Sequence, residues 1–233
     1  MTRNPPRLSQ DFYYQGVPDY MLEVYDWAYV NPRHADFLDH NWVVRTLLFC
    51  NDQRLMLAYL NQVRPGMAVW QVAHVYGDLV RRVAEKVGRQ GRFDLTDITP
   101  VQVAHAEHKL ADLDQAKVMR ADACDFEGEA GYDLVVSFFL LHEVPDDIKR
   151  RVVDNMLRQV PPNGRALFVD YHRPAWWHPV GWLLRWINAK LEPFAHALWK
   201  KDIREFASQA GEFKWMKKTI FGGVYQIVTA ERA

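Results

Sequence analysis

Apolar residues recur along this chain in two periods, and the change from one to the other lays out the architecture. From residue 12 to 62 they return at helical spacing. Pro18 sets a helix start at Asp19, Asn31-Pro32 is a break, and a long periodic run extends from Phe37 to Leu60. These segments predict a helical cap over 12–62. From Met67 the period changes. Strands are predicted over 67–73, 92–97, 117–120, 133–139 and 165–170, separated by helices over 78–88, 100–110 and 146–159. Such alternation implies an α/β fold with a Rossmann-like, doubly wound parallel sheet. A Trp-rich insert runs from Pro174 to about Trp199. It is followed by a predicted helix over 201–209 and by strands over 214–219 and 224–230 around Phe221-Gly222-Gly223. A single domain over 1–233 is expected, with a cofactor-binding core at 63–173, the apolar insert at 174–210 and terminal strands at 211–233.

The insert carries five of the nine tryptophans. Between Val180 and Leu191 the polar residues Arg185, Asn188 and Glu192 share one narrow face, and Trp182, Leu183, Leu184, Trp186, Ile187 and Leu191 cover the rest. Such a helix wants apolar surroundings on most sides. Three placements satisfy it: burial between core and cap, a lid over a lipophilic substrate, or a position in a membrane interface, where tryptophan and the nearby Lys200 and Lys201 are favoured.

Charge narrows the partners. With 29 basic and 29 acidic residues the formal net charge is zero, so no general field draws nucleic acid, and a small apolar ligand gains ground. Cys50 and Cys124 form neither a disulfide framework nor a zinc-finger pattern, which fits a reducing, cytoplasmic setting. The first fifteen residues lack the apolar block of a secretory signal, and no apolar run is long enough to span a bilayer.

In open α/β sheets ligands sit beyond the carboxyl ends of the strands, so polar residues there carry the chemistry. Asp97 ends the second strand, where a carboxylate suits both ribose hydroxyls of a nucleoside; it also reads as a helix cap before Pro100. Asp122, with Ala123, follows the third strand and suits an adenine amino group, or is a plain turn residue. His142 and Glu143 follow the fourth strand, and Asp170 and His172 the fifth, so the two groups are expected to be neighbours. Together, and with His178 near, they read either as ligands for a divalent ion or as a base with its orienting partner; taken alone, His142 and Glu143 read as a strand cap and a solvated charge. His105 and His108 serve as controls outside the cluster. The loop after the first strand reads Gln71-Val72-Ala73-His74-Val75-Tyr76-Gly77-Asp78. In class I methyltransferases an acidic residue and alternating glycines bring this loop against S-adenosylmethionine; here those places hold Gln71, Ala73, Val75 and Gly77, and only the last glycine remains.

Several blocks resemble one family. They are Val75-Tyr76-Gly77-Asp78, Leu140-Leu141-His142-Glu143 with Pro145, Val169-Asp170-Tyr171-His172-Arg173-Pro174 with Trp177-His178-Pro179, Leu191-Glu192-Pro193-Phe194-Ala195, and Phe221-Gly222-Gly223. Together they look like the rhodoquinone biosynthesis proteins, which are similar in fold to the ubiquinone and menaquinone methyltransferases. The resemblance runs from about Val17 to Val228. It implies replacement of a ring methoxy group of ubiquinone by an amino group, with S-adenosylmethionine as amino donor and Mn2+ as cofactor, and peripheral association with a bacterial inner membrane. Donor contacts are expected from Gln71, Ala73, Val75, Tyr76 and Gly77 of the loop and from Asp97, Ile98, Asp122 and Ala123 at the strand ends. Catalytic roles are expected for His142, Glu143, Asp170, His172 and Tyr76, and metal binding for the first four of these. Two readings compete: methyl transfer to a quinone or another small apolar acceptor, and a non-catalytic scaffold that binds the donor in a quinone-biosynthesis complex.

Overall fold

A computed structural model describes residues 14–25, 32–128, 131–190 and 194–232, with side chains for all of these except 32, 33 and 185–190. Ahead of the sheet lie four helices: α1 (Asp19–Val24), α2 (Pro32–Leu38), α3 (Asn41–Leu47) and α4 (Asp52–Leu60). The long periodic run from Phe37 is therefore three helices. It is interrupted at Asp39-His40 and again at Phe49 and Cys50, whose φ angles of 49° and 59° lie in the left-handed region. The Asn51 amide holds that second corner by donating to the carbonyls of Leu48 and Phe49.

The sheet is built from β1 (Ala68–Gln71), β2 (Arg92–Asp97), β3 (Ala116–Arg120), β4 (Leu134–Phe138), β5 (Arg165–Tyr171), β6 (Phe213–Ile220) and β7 (Tyr225–Arg232). Their spatial order is β3-β2-β1-β4-β5-β7-β6. The first five pair in parallel, as expected. The sheet is nevertheless mixed, because β7 enters antiparallel beside β5 and β6 closes a hairpin on it. Tight pairing of Ile220 with Tyr225 across Phe221-Gly222-Gly223 allows no crossover, so antiparallel geometry is forced.

Between strands run α5 (Leu79–Val87), α6 (Pro100–Leu110) and α7 (Asp146–Arg158). The sheet buries two apolar faces. On one, Val69, Leu95, Val136 and Leu167 meet Leu55 and Tyr59 of α4 and Val80 and Val83 of α5. On the other, Trp70, Val135 and Phe168 meet Val152, Val153 and Met156 of α7. The near-continuous apolar strands reflect this two-sided burial.

After β5 come α8 (Pro179–Lys190) and the short α9 (His196–Lys200). The expected helix over 201–209 is a single 3-10 turn, Ile203–Phe206. Its two apolar residues are three apart, both buried, and Asp202 and Glu205 cap each other, so one turn satisfies everything the segment offers. In α8, Leu184 is buried but Trp182 is 72% and Leu183 46% exposed, so this helix is not enclosed on most sides. The proposed polar face of Arg185 and Asn188, with Glu192, lies outside the described side chains and residues.

Candidate functional site

Because β1 to β5 run parallel, their carboxyl ends open onto one edge, and a cavity of about 470 Å3 lies there. That volume suits a small organic ligand or two. One half is polar at its walls, with Ala73 to Tyr76, Asp97 to Thr99, and Asp122 and Ala123; the other is apolar, with Leu47, Leu48, Phe49, Phe138, Phe139 and Leu183.

Asp97 is buried, and its own neighbours satisfy much of it. Oδ1 accepts from the Thr99 amide and hydroxyl at 2.8 Å each, and Oδ2 accepts from the His74 amide at 3.0 Å. Burial raises its pKa against those hydrogen bonds. Asp122 forms a turn by accepting from the Cys124 amide at 2.8 Å, and burial, then the Asp122 charge, pushes the Cys124 thiol up to about 12. Ile98 and Ala123 also line the cavity, as do Ala73, Val75 and Tyr76.

Gln71 and Gly77 do not line it. Gln71 is wholly buried behind the loop, where its amide donates to the Ala73 carbonyl at 2.9 Å. A carboxylate at that place could not donate. Gly77 faces the cap: its amide donates to Asp39 at 2.9 Å, its φ is +86°, and a Cβ there would meet Asn41 Oδ1 at 2.8 Å. Conformation and close approach, not ligand contact, account for this glycine.

A buried polar brace holds the loop, and the sequence pattern did not single it out. Lys109 of α6 donates to Asp39, to the Gly77 carbonyl at 2.8 Å and to His74 Nε2 at 3.1 Å. Since that nitrogen accepts, Nδ1 carries the proton, and it donates to Gln102 Oε1 at 2.7 Å. Gln102 in turn donates to the Tyr76 hydroxyl at 2.7 Å. Burial, then the Lys109 charge, holds His74 down at about 3. Burial alone would raise Asp39, but hydrogen bonds from His105 and Lys109 outweigh it and hold the carboxyl at about 2. His105, taken as a control, belongs to this brace through Asp36 and Asp39. A signal for it existed: Gln102, His105 and Lys109 stand at helical spacing as a polar stripe beside the buried Val101, Ala106 and Leu110.

His142 and Glu143 line the apolar side of the cavity in a short turn after β4. Phe139, immediately before, takes a φ of 56° and packs edge-on against His142 and Tyr171. A bulky residue in that region is strained, and such strain gathers at functional turns. Asp170 lies behind His142, fully buried. Its oxygens accept from His142 Nδ1 at 2.9 Å and from the amides of Tyr171, Leu141 and His142 at 2.7, 2.9 and 3.3 Å. His142 Nε2 is 3.6 Å from Glu143 Oε1.

These residues do not make a manganese site. Four donors use the acceptor capacity of Asp170, and His172 points elsewhere, with Nδ1 donating to the Gly223 carbonyl at 2.9 Å. Among the described residues no group of three or more His, Cys, Asp and Glu is placed to hold a metal ion. The expected grouping therefore holds for His142, Glu143 and Asp170 and fails for His172. What remains is an oriented imidazole: with Nδ1–H fixed on Asp170, Nε2 is the basic nitrogen.

This seven-stranded sheet with its strand-end cavity is the methyltransferase-like Rossmann fold. Residues 69–164 match the family model described as a methyltransferase domain. The chain is 30% identical over 116 residues to the ubiquinone/menaquinone biosynthesis C-methyltransferase UbiE of Idiomarina loihiensis, covering 48% of this chain and 45% of that protein. It is 29% identical over 135 residues to the protein of the same name from Bordetella parapertussis, covering 57% and 50%. The match thus spans about half the length of these relatives. Among solved structures, human N-acetylserotonin methyltransferase in complex with S-adenosylmethionine superimposes with a TM-score of 0.60 at 16% identity, over 97% of this chain and 64% of that one. An O-methyltransferase family protein from Burkholderia thailandensis gives 0.62 at 16%, over 88% and 64%. At such identities the structures speak for the fold.

Proposed function

We propose that this chain is an S-adenosylmethionine-dependent transferase that aminates a ubiquinone-type ring, putting an amino group in place of a ring methoxy group. The observation that carries it is one cavity joining two strand-end carboxylates, Asp97 and Asp122, to an aromatic chamber, with His142 oriented by Asp170 in its wall. In this reading Asp97 receives the ribose hydroxyls and Asp122 the adenine amine, while Phe49, Phe138, Phe139 and Tyr171 surround the quinone.

The altered loop supports amination. Val75 and Tyr76 occupy the wall where glycines would let a methionine tail lie against the backbone, so the tail is turned and its nitrogen, not its methyl, faces the ring. No carboxylate stands at position 71 to stabilise the ammonium form, and only a neutral amine attacks an electron-poor ring carbon. His142 Nε2 takes the proton as the ring C–N bond forms and the methoxy group leaves as methanol; loss of the donor's Cα proton then passes two electrons into the quinone ring, and water hydrolyses the resulting imine, releasing the donor's carbon skeleton as a 2-oxo acid and leaving the amino group on the hydroquinone. Glu143 is placed to balance the charge on His142.

Methyl transfer to a quinone is the second reading, supported by the methyltransferase-domain match and by relatives named as C-methyltransferases. One experiment separates them. The chain is given ubiquinone in detergent with S-adenosylmethionine carrying heavy nitrogen at the α-amine and heavy carbon at the methyl, and the quinone is weighed. Heavy nitrogen with loss of methoxy is expected. Heavy carbon with methoxy retained replaces amination by methylation, and an unlabelled quinone overturns both.

A further inference from the structure

Among the described residues Lys149 is the one lysine or arginine that is buried, and its burial is complete. It stands in the first turns of α7, where the helix dipole disfavours a cation. Taking an ammonium out of water is costly unless each of its protons finds a partner. Here Nζ donates to the Val144 carbonyl and, at 3.0 Å, to the Phe194 carbonyl, and Asp146 Oδ1 lies 3.5 Å away. Three protons meet three acceptors, as an ammonium requires. Burial lowers the pKa of the amine, and the charges of Asp146 and then Asp170 oppose that. An apolar side chain of the same length would fill the site without the cost of a buried charge, so the use of this lysine lies in what it bonds.

Both carbonyls belong to segments that shape the cavity. Val144 lines it and closes the turn that carries His142 and Glu143. That turn is three residues long and has no hydrogen-bond ladder of its own to stiffen it. Asp170 holds its start through the amides of Leu141 and His142, and Lys149 holds its end through Val144. Phe194 leads into α9, and its ring meets Tyr20 of α1 edge-on at 6.0 Å; Tyr20 also lines the cavity. At the other end of α9, Lys201 pairs with Asp146 at 3.0 Å. One ammonium thus joins the imidazole turn to the start of α9 and, through Phe194, to the wall that α1 provides.

We propose that Lys149 is a positioning residue: its two carbonyl bonds pin the His142 turn against α9 and so fix where Nε2 stands in the cavity wall. The catalytic use of that imidazole rests on the transferase reading; the pinning does not.

The test follows the Nδ1–H proton of His142 by magnetic resonance in the whole chain carrying heavy-nitrogen histidine, assigned by its loss in His142→Gln. Lys149→Met keeps the stem and loses the donors, and should speed exchange of that proton with water about tenfold or more. Lys149→Arg keeps charge and donors and should recover most of the protection. Lys86→Met, which removes a lysine bond of 2.7 Å to the Leu60 carbonyl, should leave exchange as it is. In steady-state turnover of quinone, Lys149→Met should lower kcat about tenfold or more through misplacement of the base. Its affinity for S-adenosylmethionine by calorimetry should be unchanged, which also shows that the variant is folded. Wild-type exchange in Lys149→Met overturns the proposal. So does a Met variant that lies nearer wild type than the Arg variant, because packing then accounts for the site, and so does a loss of donor affinity in step with exchange, because the whole cavity has then loosened. Wild type that leaves the quinone unlabelled while the exchange order holds sinks only the transferase reading; labelled quinone with exchange unaltered in Lys149→Met sinks only the pinning.

Discussion

Asp170 accepts four hydrogen bonds in a fully buried position, and one of them fixes the ring of His142. Asp170→Asn puts an amide nitrogen among those donors, so the imidazole loses its tautomer and its aim. We expect kcat to fall about a hundredfold or more with KM little changed, read from steady-state kinetics. Asp97→Ala should act on binding instead. Loss of a charge-assisted hydrogen bond to the donor's ribose costs about 1.5–3 kcal/mol, or roughly 10- to 100-fold in donor affinity by calorimetry; an unchanged affinity would remove Asp97 from the donor site. His74 gives a pH signature. Its pKa lies at about 3 in the fold against an ordinary 6.5, so between these values the unfolded chain binds a proton that the folded chain does not. Stability therefore falls as pH drops through that window. Asp39, held at about 2 against 3.8, adds a loss at the acid end, because its contribution is present above its ordinary value and disappears as pH falls through the folded one. His74→Asn should flatten the slope between pH 4 and 6 in urea unfolding by about one proton; an unaltered slope would mean that His74 is not the buried neutral group.

The loop between β1 and α5 shows what an element can retain after losing its glycines. Gln71 closes it from behind, the Lys109 brace holds it from the side, and Asp39 and Asn41 tie its end to the cap. The cap thus takes part in shaping the donor half of the cavity, while α3 supplies Val44 and Leu47 to the acceptor half. Gly77 is where these ties converge. Gly77→Ala adds a strained φ and a 2.8 Å approach to Asn41, and should lower stability by about 1–3 kcal/mol in thermal or urea unfolding. A neutral result would show that the loop can move off the cap.

At the scale of the whole molecule, the parallel order 3-2-1-4-5 places every candidate residue on one edge, and the antiparallel hairpin of β6 and β7 extends the far side without touching the donor half. Ligand occupancy should be felt across the fold. S-adenosylhomocysteine at about 100 times its Kd should add roughly 2.7 kcal/mol to unfolding, read as a raised Tm, with Asp97→Ala showing less at the same concentration.

The sequence by itself determined the order of strands and helices from Met67 onward, the placing of Asp97, Asp122, His142 and Asp170 at strand ends, and the zero net charge, because period, turn residues and composition are local properties. It could not decide which of those groups face inward. Gly77 is tied to Asp39 and His172 to Gly223 by contacts between residues far apart in the chain, whereas Gln71 turns back on Ala73 and the helical run before Asn61 breaks at left-handed residues held by local hydrogen bonds. The brace of Asp39, His74 and Lys109 is the clearest case: its members are separated by about 35 residues each, so no local pattern joins them. Only folding removes them from water together, and burial is what turns three ordinary polar side chains into one fixed support.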